Sequence, residues 1–220
     1  MRFASPADLS PIPQAEAPRG CPLCPRLVGL RQQLRGEHPD WWNAPAPAFG
    51  DGLAWLAIVG LAPGMRGANR TGRPFTGDYA GDLLFSTLLE FGLAEGRYRG
   101  DPSDGLRLKG AIILNAVKCV PPANKPLPSE IENCGHYLEA AIANLPKVRV
   151  LIALGRIAHD AAARMLAVKA AKFGHGAEAR APDGRILLSS YHCSRQNTNT
   201  GRLTRDMFES VFERALELRT

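Results

Sequence analysis

Several familiar signatures are missing from this 220-residue sequence. No apolar run approaches the roughly 18 residues that a membrane-spanning helix needs, and the opening MRFASPADLSPIP lacks the apolar core of a secretory signal peptide. The sequence has neither the Gly-Lys-Ser/Thr of a Walker A loop nor the G-x-G-x-x-G of a dinucleotide site, and it has no internal repeat. We therefore expect a soluble, cytoplasmic protein with one domain over residues 1–220 and no membrane partner.

The charge balance is basic. The chain carries 27 Lys and Arg against 21 Asp and Glu, a net charge of +6, which favours a polyanionic partner. Hydrophobic residues make up 45% of the chain, enough for a full core. The stretch 1–20 is rich in proline, so we expect an irregular arm there.

Apolar runs and helical patterns alternate along the rest of the chain. Strands are predicted at 53–59, 106–117, 148–154 and 185–190, and helices at 25–35, 79–93, 130–144, 156–167 and 202–219. Ser129 is the expected N-cap of the third helix, with Glu132 in the capping-box position, and residues 170–184 are expected to be irregular. This alternation predicts an α/β fold with a parallel sheet covered on both faces.

The glycine-rich stretch 60–78, GLAPGMRGANRTGRPFTGD, follows the first strand directly. Loops of this length are usually functional or disordered. The stretches 115–128 and 191–200 follow two further strands in the same way. Because ligands in open α/β sheets bind outside the carboxyl ends of strands, these three loops are predicted to form one site.

Four of the five cysteines form two pairs, namely Cys21 with Cys24 in a C-x-x-C motif, and Cys119 with Cys134. Such pairs can bind zinc or an iron–sulfur cluster, and the spacing alone does not decide between them. Cys193 is left over. Since neighbours in an extended segment point to opposite faces, it is predicted to be a packed free thiol and not the partner of His192.

Four segments together with the four cysteines resemble family five of the uracil-DNA glycosylase superfamily. The segments are GLAPG at 60–64, RPFTGDYAG at 73–81, NAVKC at 115–119 and HCSRQNTNT at 192–200. The resemblance implies a three-layer α/β/α sandwich with a four-stranded parallel sheet. It also implies that the N-glycosidic bond of a deaminated base in double-stranded DNA is hydrolysed, leaving an abasic site. We expect the protein to act as a monomer.

The resemblance also assigns the metal site. Cys21, Cys24, Cys119 and Cys134 would hold a structural 4Fe–4S cluster, with zinc as the alternative. Such a site would tie the N-terminal arm to the end of the second predicted strand.

Three residues are predicted to handle a flipped-out base. Phe75 offers a stacking face, and the Asn115 amide can bond O4 and N3–H of uracil because it carries both a donor and an acceptor. His192 is the candidate donor that stabilises negative charge on the departing base. The alternative for Asn115 is a turn residue at the strand end.

The backbone of Gly60, Leu61 and Ala62 is predicted to border the base. Ala62 stands where relatives of the superfamily usually carry an Asp or Asn that orients the attacking water. Asp78 is the nearest carboxylate and would either replace that group or cap the following helix. Without a base the route would be strongly dissociative. A roomier pocket at Ala62 suggests hypoxanthine or other modified bases as further substrates.

Basic and polar side chains of the same edge are predicted to contact DNA. They are Arg66, Arg70, Arg73, Lys118, Arg195 and Gln196. Arg195 and Gln196 could enter the gap left by the flipped base. A competing interpretation, supported mainly by Ala62, is a non-catalytic nucleic-acid-binding module stapled by a metal.

Overall fold

The computed structural model describes residues 16–169 and 172–219. Its strands are β1 (Phe49–Gly50), β2 (Leu56–Gly60), β3 (Ala94–Glu95), β4 (Arg107–Leu108), β5 (Ala111–Asn115), β6 (Val150–Leu154), β7 (Glu178–Arg180) and β8 (Ile186–Ser190). Its helices are α1 (Pro25–Glu37), α2 (Ala68–Thr71), α3 (Tyr79–Glu90), α4 (Pro128–Ala143), α5 (Arg156–Met165), α6 (Arg195–Asn199) and α7 (Arg205–Glu217).

The main sheet has six strands in the order β1-β5-β2-β6-β8-β7. The four inner strands are parallel, as predicted, and each has five residues, all of them buried. The outer strands β1 and β7 pair antiparallel and were not predicted. They are two and three residues long, too short to produce a readable alternation.

Helices cover both faces of the sheet, and successive strand residues alternate between them. In β2, Ile58 packs into a cluster with residues of α3 and α7, including Phe85 and Phe212. Its neighbour Val59 packs into a second cluster with residues of α4 and α5, including Leu138. The predicted three-layer α/β/α arrangement is therefore confirmed.

Two local predictions need correction. The run 106–117 is not one strand, because Gly110 turns the chain at φ +65° and separates β4 from β5. The third predicted helix begins at Pro128, and its capping-box carboxylate is Glu130, which accepts from the Leu127 N–H at 2.8 Å. Proline lacks an N–H and is well suited to the first turn, so the N-cap falls at Leu127 and not at Ser129.

The N-terminal stretch is anchored to the body where it is described. Glu16 accepts from the Ala48 N–H at 2.7 Å, and Arg19 stacks over Trp42 at 4.2 Å. The remainder of the predicted arm, residues 1–15, lies outside the described residues. Among the described helices, none has the length and apolarity to span a bilayer.

Candidate active site

Gly60 and Asn115 end two neighbouring parallel strands and lie opposite one another in the ladder. A Cβ atom at Gly60 would stand 2.7 Å from Asn115 Oδ1 and 3.0 Å from the Phe75 ring. The Asn115 amide and the Phe75 ring therefore both approach Gly60, and any larger residue at that position would collide with them. The Asn115 side chain makes no hydrogen bond to any other described group, so its donor and acceptor remain available.

Phe75 adopts a left-handed backbone conformation at φ +53°, which is rare for a bulky residue. The Tyr98 hydroxyl stabilises it by donating to the Phe75 carbonyl at 3.1 Å. Burial raises the pKa of Tyr98 to about 12, so this donor stays protonated. A Cβ at Gly81 would come within 1.9 Å of the same carbonyl oxygen, so the observed loop requires glycine there.

His192 stands across from Phe75. The two rings are nearly parallel, at 24°, with centroids 5.9 Å apart. Burial lowers the pKa of His192 from 6.5 to about 4, so the imidazole is neutral at pH 7. Its Cβ lies 3.4 Å from the place where a Cβ on Gly155 would stand, so the end of β6 supports the ring from behind. Phe75, Asn115 and His192 therefore lie at one edge of the sheet, as predicted.

Asp78 occupies the N-cap position of α3, yet its side chain makes no capping hydrogen bond. Its Oδ1 is buried and has no hydrogen-bond partner within the described chain. A Cβ at Gly67 would stand 2.1 Å from Oδ2, so the glycine-rich loop closes tightly over the carboxylate. Burial raises the pKa of this carboxyl, and the nearby backbone N–H groups of Gly81 and Ala80 oppose that rise.

Four of the six predicted DNA contacts are exposed near this edge: Arg66 and Arg70 in the loop after β2, and Arg195 and Gln196 in α6. Arg195 stacks over the exposed ring of Tyr79 at 5.1 Å. Thr198 donates to the Tyr79 hydroxyl at 3.2 Å. These contacts join the start of α3 to α6 across the site.

The prediction is wrong for Arg73 and Lys118. Arg73 is buried and pairs in a bidentate manner with Asp104, both bonds being 2.8 Å. Lys118 is 1% exposed, and its ammonium bonds to Glu16 at 3.0 Å. A buried cation that already has a carboxylate partner cannot also reach a DNA phosphate.

Cys21, Cys24, Cys119 and Cys134 form no disulfide, and all four line a single cavity. Each sulfur has a polar neighbour: Arg31 Nη1 at 3.2 Å from Cys119, the Lys118 N–H at 3.3 Å from Cys134, Asn133 at 3.9 Å from Cys24, and the Tyr137 hydroxyl at 3.7 Å from Cys21. Across the described chain, no three His, Cys, Asp or Glu side chains gather closely enough to hold a single metal ion.

The cavity and the active site share a wall. Ala62 is half-buried and packs on the cluster that contains Cys119 and Cys134, and the Leu61 carbonyl accepts from the Val117 N–H at 2.9 Å. The cysteines therefore support the loop after β2 from behind. Cys193 is separate from them. It is fully buried and donates to the Ala80 carbonyl at 3.4 Å, which confirms a packed thiol.

Sequence reasoning missed four residues that build the site: Arg31, Gly81, Tyr98 and Asp104. Gly81 could have been recognised from the sequence. Glycine is unfavourable in the first turns of a helix, so its presence there indicates a packing or functional requirement. The other three act across long sequence separations and left no local pattern.

Comparison with known proteins agrees with this geometry. The family model of the Uracil DNA glycosylase superfamily matches residues 47–216. A type-5 uracil-DNA glycosylase of Thermus thermophilus is 48% identical over 205 residues, covering 90% of this chain and 93% of the relative. A type-5 enzyme of Pyrobaculum aerophilum is 39% identical over 199 residues, covering 89% and 87%. A type-4 enzyme of Thermotoga maritima is 38% identical over 145 residues, covering 66% and 61%.

Identity of this extent over nine-tenths of the chain reaches beyond the four motifs. The chain therefore belongs to the uracil DNA glycosylase superfamily and, within it, to the type-5 uracil-DNA glycosylases.

Proposed function

We propose that the protein removes uracil, and other deaminated bases such as hypoxanthine, from double-stranded DNA during base-excision repair. It hydrolyses the N-glycosidic bond and leaves an abasic site. The observation that carries the proposal is the convergence of Phe75, Asn115 and His192 at one sheet edge, with the two polar side chains free of partners among the described residues.

A flipped uracil would stack on Phe75 and present its polar edge to Asn115. The amide oxygen accepts from N3–H while the amide N–H donates to O4. Cytosine, with an acceptor at N3 and a donor at N4, matches this pair less well, whereas thymine presents the same edge and differs from uracil only by its C5-methyl group. Negative charge grows on the base as the bond breaks. The imidazole of His192 is neutral at pH 7 because its pKa is lowered to about 4, so it stabilises that charge by an N–H hydrogen bond to O2 and not as a cation.

Asp78 is the proposed activator of the attacking water, since Ala62 has no polar group for that task. The buried, unpartnered Oδ1 supports this role, because a buried carboxylate oxygen normally has a hydrogen-bond partner. A raised pKa also suits a general base, whose efficiency is greatest when its pKa approaches the working pH.

We further propose that Cys21, Cys24, Cys119 and Cys134 hold a 4Fe–4S cluster. Two observations support the fit. Each sulfur has a polar neighbour in the cavity wall, and Arg31 is a buried cation whose Nε is left without a partner in the described chain. The four cysteines line one cavity, and zinc, which takes four cysteine sulfurs, is the alternative occupant. When bound, the cluster supplies a covalent cross-link and no chemistry at the base.

The exposed Arg66, Arg70 and Arg195 would bind backbone phosphates, and Arg195 with Gln196 would fill the gap left by the flipped nucleotide. Of the described large apolar side chains only four are exposed, at scattered positions, which supports action as a monomer.

The test is excision from a labelled duplex with a single uracil, read as strand cleavage after alkali treatment. We expect wild-type cleavage of the uracil strand and none of a matched thymine strand. Asn115→Ala should lower the single-turnover rate by about 10²–10³-fold, as when one donor to a developing oxyanion is lost.

Asn144→Ala is the matched control, because Asn144 lies at the end of α4, away from the site, and bonds only to the Ala140 carbonyl. Its rate should stay within about twofold of wild type, since an exposed substitution of this kind changes little. Tight binding of the duplex without any alkali-labile site would favour the non-catalytic binding module instead.

A further inference from the structure

A second concave surface lies at the opposite edge of the sheet. Trp55, Gly110 and Arg149 each directly precede one of the parallel strands β2, β5 and β6, so they lie together at the amino-terminal ends of those strands. They border a basin of about 460 Å³. Five-residue strands at about 3.3 Å per residue separate this basin from the active site by about 16 Å.

The basin is basic and its cations are uncompensated. Lys147, Arg149 and Arg219 line it and are exposed, and within residues 16–169 and 172–219 none of the three forms an ion pair. Asp51 is the one carboxylate in the lining. Its oxygens accept from the N–H of Leu53 at 2.8 Å and from that of Gly110 at 2.9 Å. The lining therefore carries three cations against one carboxylate.

The wall of the basin contains a polar group without a partner. Trp55 is only 8% exposed, yet its indole N–H donates to no described group. A Cβ at Gly110 would stand 2.9 Å from Trp55 Nε1, which places the N–H edge beside that lining residue. The indole nitrogen is not one of the buried polar atoms without a partner in the described chain, so its N–H is open to an acceptor from a ligand.

The rim adds one apolar contact. Leu53 is 62% exposed and borders the basin beside the three cations. A single exposed leucine needs no explanation by itself. Beside uncompensated cations and an open N–H, it gives the basin the mixed character of a site for an amphipathic anion.

We propose that this basin docks an acidic peptide segment of a partner protein. Carboxylates of the segment pair with Lys147, Arg149 and Arg219, one of them accepts from the Trp55 indole, and an apolar side chain of the segment covers Leu53. Arginine forms bidentate pairs with carboxylates, and two of the three cations are arginines.

Nucleic acid fits the basin less well. Single strands bind by stacking bases on open aromatic faces, whereas the Trp55 ring is buried and Arg219 lies over it at 5.3 Å. A duplex held at the active site would be on the far side of the sheet.

The test is fluorescence anisotropy with a fluorescein-labelled peptide of four glutamates followed by a leucine, using the full-length wild-type protein. A peptide with glutamines in place of the glutamates is the ligand control. We expect Lys147→Glu combined with Arg149→Glu to weaken binding by about tenfold or more, since both affected ion pairs become repulsive. Leu53→Ser should weaken it by about threefold through lost apolar contact.

The protein control is Arg164→Glu combined with Arg180→Glu, which changes the net charge equally at two exposed positions outside the basin. This variant should bind the peptide within about twofold of wild type. Equal weakening in both double variants would overturn the proposal by showing a general charge effect. Displacement of the peptide by undamaged duplex DNA would also overturn it, because the basin would then be a nucleic-acid site.

The proposal does not depend on the glycosylase activity. Uracil excision should be the same in wild type and in the Lys147→Glu, Arg149→Glu variant, so a failure of either idea can be recognised separately. Loss of excision in that variant would place the basin in the DNA-binding surface and would contradict peptide docking.

Discussion

The loop after β2 borders both the active-site edge and the cysteine corner, which is the cavity lined by Cys21, Cys24, Cys119 and Cys134. The two regions differ in how far their polar groups are paired. At the edge, Asn115, His192 and Oδ1 of Asp78 have no hydrogen-bond partner among the described side chains and backbone. Around the cysteines, Glu130 pairs with Arg26 and Lys118 pairs with Glu16, although Arg31 Nε is left without a partner in the described chain. The groups proposed to act on a substrate have no partner, whereas the ion pairs that attach the N-terminal stretch are complete.

The difference has an energetic consequence. A buried polar atom without a partner, such as Asp78 Oδ1, lowers the stability of the folded protein, and the rest of the fold must offset that cost. Substitutions at the edge should cost activity while sparing or raising stability. Substitutions at the cysteine corner should do the reverse.

Asp78→Asn gives the sharpest contrast. Loss of the general base should lower the excision rate by about 10²–10⁴-fold. Stability should rise at pH 7. The folded pKa of Asp78 is raised, so as pH increases the unfolded chain loses this proton first, and ionisation at higher pH penalises the folded state. Asparagine carries no charge and avoids that penalty. Excision rate and thermal unfolding of the same preparation measure both effects.

Asp82→Asn is the control, because Asp82 is exposed in the first turn of the same helix. It should leave the rate within about threefold of wild type, since a surface charge in a helix contributes little. An Asp78→Asn variant that is less stable than wild type would show that the carboxylate serves the fold.

Arg31→Met should lower stability and leave the excision rate nearly unchanged, the opposite of Asp78→Asn. Arg31 donates to the Cys119 sulfur at 3.2 Å and to the Cys21 carbonyl at 2.8 Å. Methionine fills similar space but has no donor, so the free energy of unfolding should fall by about 2–3 kcal/mol, the range for hydrogen bonds to charged groups. The visible absorbance of anaerobically purified protein should bleach faster with chelator, while protein that keeps its absorbance excises uracil at nearly the wild-type rate.

Arg35→Met serves as the matched control one turn along α1, since Arg35 bonds only to backbone carbonyls of Asn43 and Arg19. It should bleach at the wild-type rate. Equal bleaching of the two variants would mean that Arg31 merely fastens the helix.

The location of the active site could be predicted from the sequence, because the carboxyl ends of parallel strands lie at the same side of the sheet. Once four apolar runs alternate with helices, their carboxyl ends must meet, and the polar residues that follow them come together: Asn115 after β5 and His192 after β8. The grouping of the four cysteines was predicted from their spacing in two pairs and from the family motifs. These inferences needed only local patterns and one rule of topology.

The errors came from contacts between distant residues. Arg73 is neutralised by a carboxylate 31 positions away and Lys118 by one 102 positions away, and no local pattern links either pair. The edge strands β1 and β7 were too short to detect. The basin at the opposite edge gathers residues from four separate segments, so its cations looked like an ordinary solvated surface.

Gly81→Ala sharpens the comparison inside a single element. The new Cβ would stand 1.9 Å from the Phe75 carbonyl oxygen and 2.4 Å from the Tyr98 hydroxyl, so Phe75 must shift. We expect kcat/KM to fall by about 10–10²-fold because the stacking ring is misplaced. Gly29→Ala, in the open middle of α1, meets no atom within 4 Å and should stabilise the protein by about 0.5–1 kcal/mol. Steady-state kinetics and chemical denaturation of both variants measure the difference.

The smallest expected effect is in the pH dependence of His192. Its folded pKa of about 4 lies below the ordinary value of 6.5, so as pH falls between these values the unfolded chain binds the proton first and stability is lost across that window. His192→Asn should flatten this part of the stability profile. The wild-type excision rate should show no inflection near pH 6.5. An inflection there that disappears in His192→Asn would mean that the imidazole is protonated in the working enzyme, and the neutral-donor role would have to be replaced by an ionic one.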